Sequence, residues 1–276
     1  MRYIIFDTTH LPGGIVSLAH RIAAAAMLLC LASVRAEQMP AIAAAADLKF
    51  ALAEIADRFK RDTGREVKLV FGSSGTFKTQ IENGAPYEML LSADEDYVLQ
   101  LAEKGLIRDR GTLYAIGRLV LFAPHGSPLE VDAELKGLKA ALAAGHIRRL
   151  AIANPEHAPY GRAARAALQH AGLWPAIGSR LVLGENASQA TQFAASGSSQ
   201  GGVIPLSMLK APEIARLGRF ATIPAEWHAS EPLRQRMALT AKAGESAAAF
   251  YRYLQQPAAR EVFARYGFVP PGEGEN

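Results

Sequence analysis

The residues in this chain that could do chemistry gather at three junctions, each the end of an apolar run and the start of a helical pattern. The first is Ala43-Ala44-Ala45-Ala46-Asp47 and the second Phe71-Gly72-Ser73-Ser74-Gly75. The third is Asn154-Pro155-Glu156-His157-Ala158-Pro159-Tyr160-Gly161. None contains a lysine or arginine. They offer instead hydroxyls, small side chains and the unpaired N–H groups of a helix start. Together with the helix dipole, such groups bind anions, and small residues let the backbone approach closely. Each junction also has an ordinary structural use. Ser73, Ser74 or Asp47 equally suits a helix N-cap, and a lone tyrosine such as Tyr160 commonly packs half-buried. Three such junctions on strand–helix units are a more specific signal than any one of them.

The elements that must position these junctions are short apolar strands alternating with amphipathic helices. Residues 40–46 read as a strand. Leu48, Leu52, Ile55, Ala56 and Phe59 then recur at three and four, predicting a helix that ends at Gly64. Strands follow at 66–71 and 88–92, with helices running to Asn83-Gly84 and over 94–104. Residues 114–123 read as one longer strand with a glycine inside it, a crossover between lobes. The pattern repeats with helices near 133–144, 161–170 and 188–195 and strands at 149–153, 181–184 and 202–206. Residues 236–241 read as a strand returning to the first lobe, and helices at 245–254 and 257–266 pack there. The expected fold is α/β with two lobes, mostly parallel sheets, flanking helices and a hinge. Lobe one covers 37–116 plus 233–276, and lobe two 117–232. In such sheets ligands collect at the carboxyl ends of strands, which here would face each other across a closing cleft.

Several function classes lose support at this stage. The formal net charge is +4 and the basic residues are scattered, so nucleic-acid binding is not indicated. Gly197-Ser198-Ser199-Gln200-Gly201 fits G-x-S-x-G, but it follows a helix and precedes a strand, the reverse of a nucleophile elbow. His125, His146, His157, His170 and His228 lack metal-type spacing, and no phosphate-binding P-loop is present. The expectation is a binding protein without a cofactor, not an enzyme. At the N-terminus, a weakly basic start (Arg2, His20, Arg21) precedes an apolar run at 22–34 and the small residues Val34 and Ala36. That is a signal peptide cut after Ala36, sending the chain to the periplasm. The run, about 13 residues, is short for a membrane span. Cys30, the only cysteine, follows Leu29 rather than the small residue that lipidation needs. The mature chain therefore has no disulfide and no thiolate site.

The mature chain resembles periplasmic molybdate-binding proteins along nearly its whole length. The matching stretches are AAAADLKFALAEIADRFKRDTG (43–64), FGSSGTFKTQIENGAPYEMLLSADE (71–95), YAIGRLVLFAP (114–124), IANPEHAPYGRAA (152–164), LVLGENASQA (181–190) and AREVFARYGF (259–268). The resemblance implies the two-lobed periplasmic-binding-protein fold of the class II type. It implies a monomer that captures molybdate or tungstate and passes it to the permease and ATPase of an ABC importer. It places the oxyanion ligands on Ala46, Asp47, Ser74, Tyr160 and Ala187, with a metal present only as the centre of the oxyanion. A tyrosine that some members use would fall on Pro205, and Tyr160 takes its place.

Asp47 departs from the resemblance, because serine, threonine or asparagine is usual there and a carboxylate repels a dianion. Three readings stay open. Asp47 caps its helix while its N–H faces the ligand. It is protonated and donates, or ligates the metal directly. Or the ligand is a cation or another anion, with Asp47 joined by Glu156, Glu185 or His157.

Overall fold

The computed structural model describes residues 39–272, so the signal peptide expected over 1–36, with its Cys30, lies outside the described residues. The first unit is β1 (Ala41–Ala45), a 3-10 turn (Ala46–Leu48) and α1 (Lys49–Thr63). Next come β2 (Lys68–Gly72), α2 (Ser74–Glu82), β3 (Met89–Ser92), α3 (Glu95–Glu103) and β4 (Thr112–Ile116). The chain continues through β5 (Leu119–Pro124), α4 (Lys136–Ala143), β6 (Leu150–Ala153), α5 (Pro159–His170), β7 (Leu181–Gly184), α6 (Ala187–Ala195) and β8 (Gly202–Pro205). It ends with β9 (Gly218–Thr222), β10 (Arg234–Leu239), α7 (Glu245–Leu254) and α8 (Pro257–Arg265). Among the described residues no helix is long and apolar enough to cross a membrane.

Local preference and burial cooperate unequally in these elements. In α1 the buried positions Ala51, Leu52, Ile55 and Phe59 fall on one helical stripe, and Gly64 ends it at φ 70°. β1 is different. Its sequence, AIAAA, has little intrinsic strand preference. It is a strand because it lies between β2 and β3, parallel to both. Phe59 meets Phe250 and Tyr253 edge-on at 5.1 and 5.3 Å, which fastens α7 over α1.

The strands form two five-stranded sheets, ordered β2-β1-β3-β10-β4 and β7-β6-β8-β5-β9. In the first, β10 runs antiparallel to both β3 and β4. In the second, β5 runs antiparallel to both β8 and β9. Four strands of each sheet therefore point one way, and the opposed strand is the one entering from the other sheet.

The single strand expected over 114–123 is thus two strands in two sheets, broken at Gly117-Arg118. Gly117 N–H donates to Leu233 O at 2.8 Å, so the outgoing and returning crossings lie side by side. β10 begins at Arg234, two residues before the expected start. β9 was not anticipated: its residues, GRFAT, are half-buried or exposed and carry no alternating pattern.

Gly117 is tight because of what it faces. A Cβ there would lie 2.2 Å from Tyr160 Oη and 3.1 Å from Gln235 Nε2. Gly117→Ala is expected to cost roughly 1–3 kcal/mol of stability, as overpacking does. Urea unfolding should show a lower midpoint at unchanged slope; an unchanged midpoint would mean that Tyr160 moves aside freely.

Candidate functional site

The carboxyl ends of β1, β2 and β3 meet those of β6 and β7 at one small cavity. Its walls are residues 45–47 after β1, 72–74 after β2, Ala93 after β3, 158–160 after β6, and Ala187 after β7. The cavity is narrow, with open space of about 10 Å³, on the scale of a single water molecule. All five residues expected to hold the ligand, Ala46, Asp47, Ser74, Tyr160 and Ala187, line it. A larger cavity of about 240 Å³ lies between β4 and the stretch 268–271 and shares no residue with this one.

Helix starts dominate the lining. The turn at Ala46 and helices α2, α5 and α6 all begin here, so their first-turn N–H groups converge without intrahelical acceptors. Pro159 opens α5 and has no N–H, while Gly161 N–H is taken by Ala158 O at 2.9 Å. That leaves the N–H of Tyr160 as the donor of this turn. In α6 the Asn186 side chain accepts from Gln189 N–H at 3.1 Å, leaving Ala187 as the first free donor. Ser74 Oγ accepts from Ala93 N–H at 3.0 Å, and its own proton has no protein acceptor among the described residues.

None of the expected side-chain caps forms. Ser73 occupies the N-cap position of α2 but makes no cap bond, and its hydroxyl donates to His157 O. Gly75 N–H donates to the same carbonyl at 3.0 Å. Asp47 is not a helix cap either. Its Oδ2 accepts from Gln235 Nε2 at 2.6 Å, and Gln235 Oε1 accepts from Tyr114 Oη at 2.8 Å. Gln235 Nε2 also reaches Tyr160 Oη at 3.3 Å, and the Tyr160 hydroxyl lies beside the Asp47 carboxylate. Oδ1 of Asp47 is buried with no hydrogen-bond partner.

Burial pushes the Asp47 carboxyl up to about 6, against smaller lowering effects of Gln235, Tyr160 and its own backbone N–H. Burial, then the charge of Asp47, holds the Tyr160 and Tyr114 phenols well above their ordinary value, so both stay protonated.

Contacts between the elements of the two sheets surround the cavity. Ser207, in the short helix Leu206–Leu209, donates to Asp47 O at 2.8 Å. Arg162 of α5 pairs with Asp94 at the start of α3, donates to Tyr97 Oη at 2.5 Å, and reaches Glu231 Oε2 at 2.7 Å. Its guanidinium also lies over the Tyr97 ring at 5.2 Å.

Reading the sequence missed Gln235, Tyr114, Ser207 and Arg162. Only Gln235 carried a signal. It is an uncharged residue between Arg234 and Arg236, and strand alternation puts it on the opposite face from them, where it is fully buried. Pro205 ends β8 and does not line the cavity. Glu156 and Glu185 are exposed, so neither joins Asp47. The G-x-S-x-G stretch lies between α6 and β8, and Ser199 Oγ is spent on Gly201 O at 2.8 Å and Phe193 O at 3.1 Å.

Comparison with known proteins gives consistent relatives. The family of bacterial extracellular solute-binding proteins matches over residues 41–269. Molybdate-binding protein ModA of Azotobacter vinelandii is 36% identical, over 88% of this chain and 94% of that protein. The protein of the same name from Rhodobacter capsulatus is 35% identical, over 78% and 82%. The solved structure of the Azotobacter vinelandii periplasmic molybdate-binding protein superposes with a TM-score of 0.76 at 30% identity, covering 84% of this chain and 99% of that one.

The acidity of Asp47 has a consequence for stability. Its folded value, about 6, exceeds the ordinary 3.8, so the unfolded chain gives up this proton first. Folding is then penalised as pH rises from about 4 to 6, by roughly 2–3 kcal/mol once above that window. Asp47→Asn is expected to unfold at a higher denaturant concentration than the parent at pH 8, with the gap closing by pH 4. An equal gap at both pH values would mean that burial does not perturb this carboxyl.

Proposed function

The chain belongs to the family of bacterial extracellular solute-binding proteins, and from that premise we propose that it captures molybdate or tungstate and hands it to the permease of an ABC importer. The observation that carries this reading is the lining of the cavity. Four helix starts and the hydroxyl groups of Ser74 and Tyr160 converge on a small cleft lined by no lysine, arginine or histidine side chain. Such a lining recognises an oxyanion by hydrogen bonds and helix dipoles. The names of the relatives supply the chemical identity of that oxyanion.

In this reading Ser74 Oγ, Tyr160 Oη and the N–H groups of Ala46, Asp47, Tyr160 and Ala187 hold the oxygens. Sulfate has the same charge and shape, so rejection of it rests on cavity size. Tungstate and molybdate are nearly equal in size, and the site accepts both. A cation receives less support: among the described residues no three His, Cys, Asp or Glu side chains converge to hold a metal ion.

The two sheets belong to two lobes, 37–116 with 233–276 and 117–232, and residues near Gly117 and Leu233 serve as the hinge. The pairing of those two crossings at 2.8 Å supports this division. Closure brings donors of both lobes onto one ligand, so the closed state is the one the oxyanion stabilises. Arg162 then acts as a latch, since its partners Asp94 and Tyr97 belong to the other lobe. The closed form is what the permease and its ATPase would recognise, and the segment 1–36 would deliver the protein to the periplasm.

Calorimetric titration with molybdate, tungstate and sulfate tests the reading. One-to-one binding of the first two, absent for sulfate, is the expected result. Ser74→Ala should weaken molybdate binding about 10- to 100-fold, as loss of a hydrogen bond to a charged partner does. Equal affinity for sulfate would refute selection by cavity size. Arg162→Met should speed molybdate release about tenfold or more in stopped-flow experiments, with little change in the association rate; an unaltered release rate would remove the latch.

A further inference from the structure

We propose that the site takes up one proton with each oxyanion, at the carboxyl group of Asp47, and that Gln235 is the positioning residue for this carboxyl. The inference rests on the oxyanion reading above and adds a second ligand to it.

The geometry supplies three reasons. First, the cavity holds no cation side chain to balance a dianion, yet Asp47, 2% exposed, lies in its wall. A carboxylate and a dianion sharing a water-excluded space repel strongly. Second, Asp47 Oδ1 is buried with no partner, while Oδ2 is fixed by Gln235 at 2.6 Å. A proton on Oδ1 removes the charge and turns an unsatisfied acceptor into a donor. Third, Tyr160 has a single hydroxyl proton. Its oxygen already accepts from Gln235 Nε2 at 3.3 Å, so the proton goes either to Asp47 or into the cavity. While Asp47 is ionised it competes for that proton. Once Asp47 is protonated, the Tyr160 O–H is free for the oxyanion.

The surroundings leave Asp47 as the group that titrates. The titratable groups facing it are Tyr160 from α5 and Tyr114 from β4, both held protonated by burial. The helix Leu206–Leu209 contributes Ser207, which donates to the backbone carbonyl of Asp47, and α6 contributes Ala187. No charged side chain is among the influences on its acidity, which are burial first, then Gln235, Tyr160 and its own N–H. The free site titrates near 6, and a bound dianion moves that value higher. Near neutral pH the carboxyl is thus mostly ionised when the site is free and protonated when it is filled. Affinity is flat below about pH 6 and falls about tenfold per pH unit above neutrality.

The test is titration of the purified protein with sodium molybdate between pH 6 and 8.5, in two buffers of different ionisation enthalpy. The parent should take up close to one proton per molybdate at pH 7.5 and lose about tenfold in affinity from pH 7 to 8. Asp47→Asn should take up none and bind with a flat pH profile. Gln235→Leu, which removes a donor to the carboxylate, should shift the fall in affinity to higher pH. Molybdate bound by the parent without proton uptake and with a flat profile overturns this inference and leaves oxyanion capture standing. So does persistent uptake by Asp47→Asn, which would put the proton elsewhere. Absence of molybdate binding by the parent at every pH overturns capture itself and this inference with it. Should Asp47→Asn fail to fold, the parent's proton count and the Gln235→Leu profile still decide.

Discussion

Asp47 lies where three elements converge, with Gln235 Nε2 at 2.6 Å from one oxygen and no partner on the other. A carboxyl this deeply buried is a weaker acid than a free one, because water no longer stabilises its charge. The neighbourhood is arranged around that constraint. Gln235 comes from β10, Tyr114 from β4 and Tyr160 from α5, so one short polar chain ties the first sheet to a helix of the second. The glycine at 117 is required by the same chain, since any Cβ there would press on the Tyr160 hydroxyl. Stability, the path of the chain between sheets and the character of the cavity therefore meet at a single side chain.

The topology makes this meeting possible. Both sheets have the same strand order, with one opposed strand arriving from the other sheet. β5 leaves the first sheet and β10 returns to it, and their entry points are hydrogen-bonded neighbours at Gly117 and Leu233. Parallel strands followed by helices present helix starts at their carboxyl ends. Facing two such sets across a narrow space concentrates N–H donors without any cationic side chain. A lysine there would bind anions less selectively and would neutralise Asp47. Its absence keeps the buried charge dependent on hydrogen bonds alone.

The contacts that hold the two halves of the cavity together differ in kind. Gly75 and Ser73 both donate to the His157 carbonyl, and Ser207 donates to Asp47 O, all through short, rigid groups. Arg162 instead spans the gap with a long side chain, joined to Asp94, Tyr97 and Glu231. Rigid contacts leave the elements they join little freedom to shift. The half-buried Arg162–Asp94 pair is of another kind, because its strength depends on how far its charges are withdrawn from water.

Much of this was legible in the chain alone. Strand–helix alternation gave the α/β class, and the three small-residue junctions gave the cavity wall, because helix starts at strand ends follow from local pattern. The resemblance added Ala187, which no spacing marks. What the sequence could not determine were contacts between distant segments. The stretch 114–123 is apolar apart from Arg118 and reads as one strand. It is two only because its halves hydrogen-bond to different sheets, a choice made by partners more than a hundred residues away for β10. Gln235 and Asp47 are 188 residues apart, and the Arg162 pair with Asp94 is equally invisible to periodicity. The orientation of Asp47 was undecided for the same reason. A helix start alone offers a carboxylate the role of cap, and only the packing of β10 and α5 against it supplies the amide and the phenol that claim it instead. Local pattern fixes which backbone groups point where; tertiary structure decides what each buried polar atom finds opposite it.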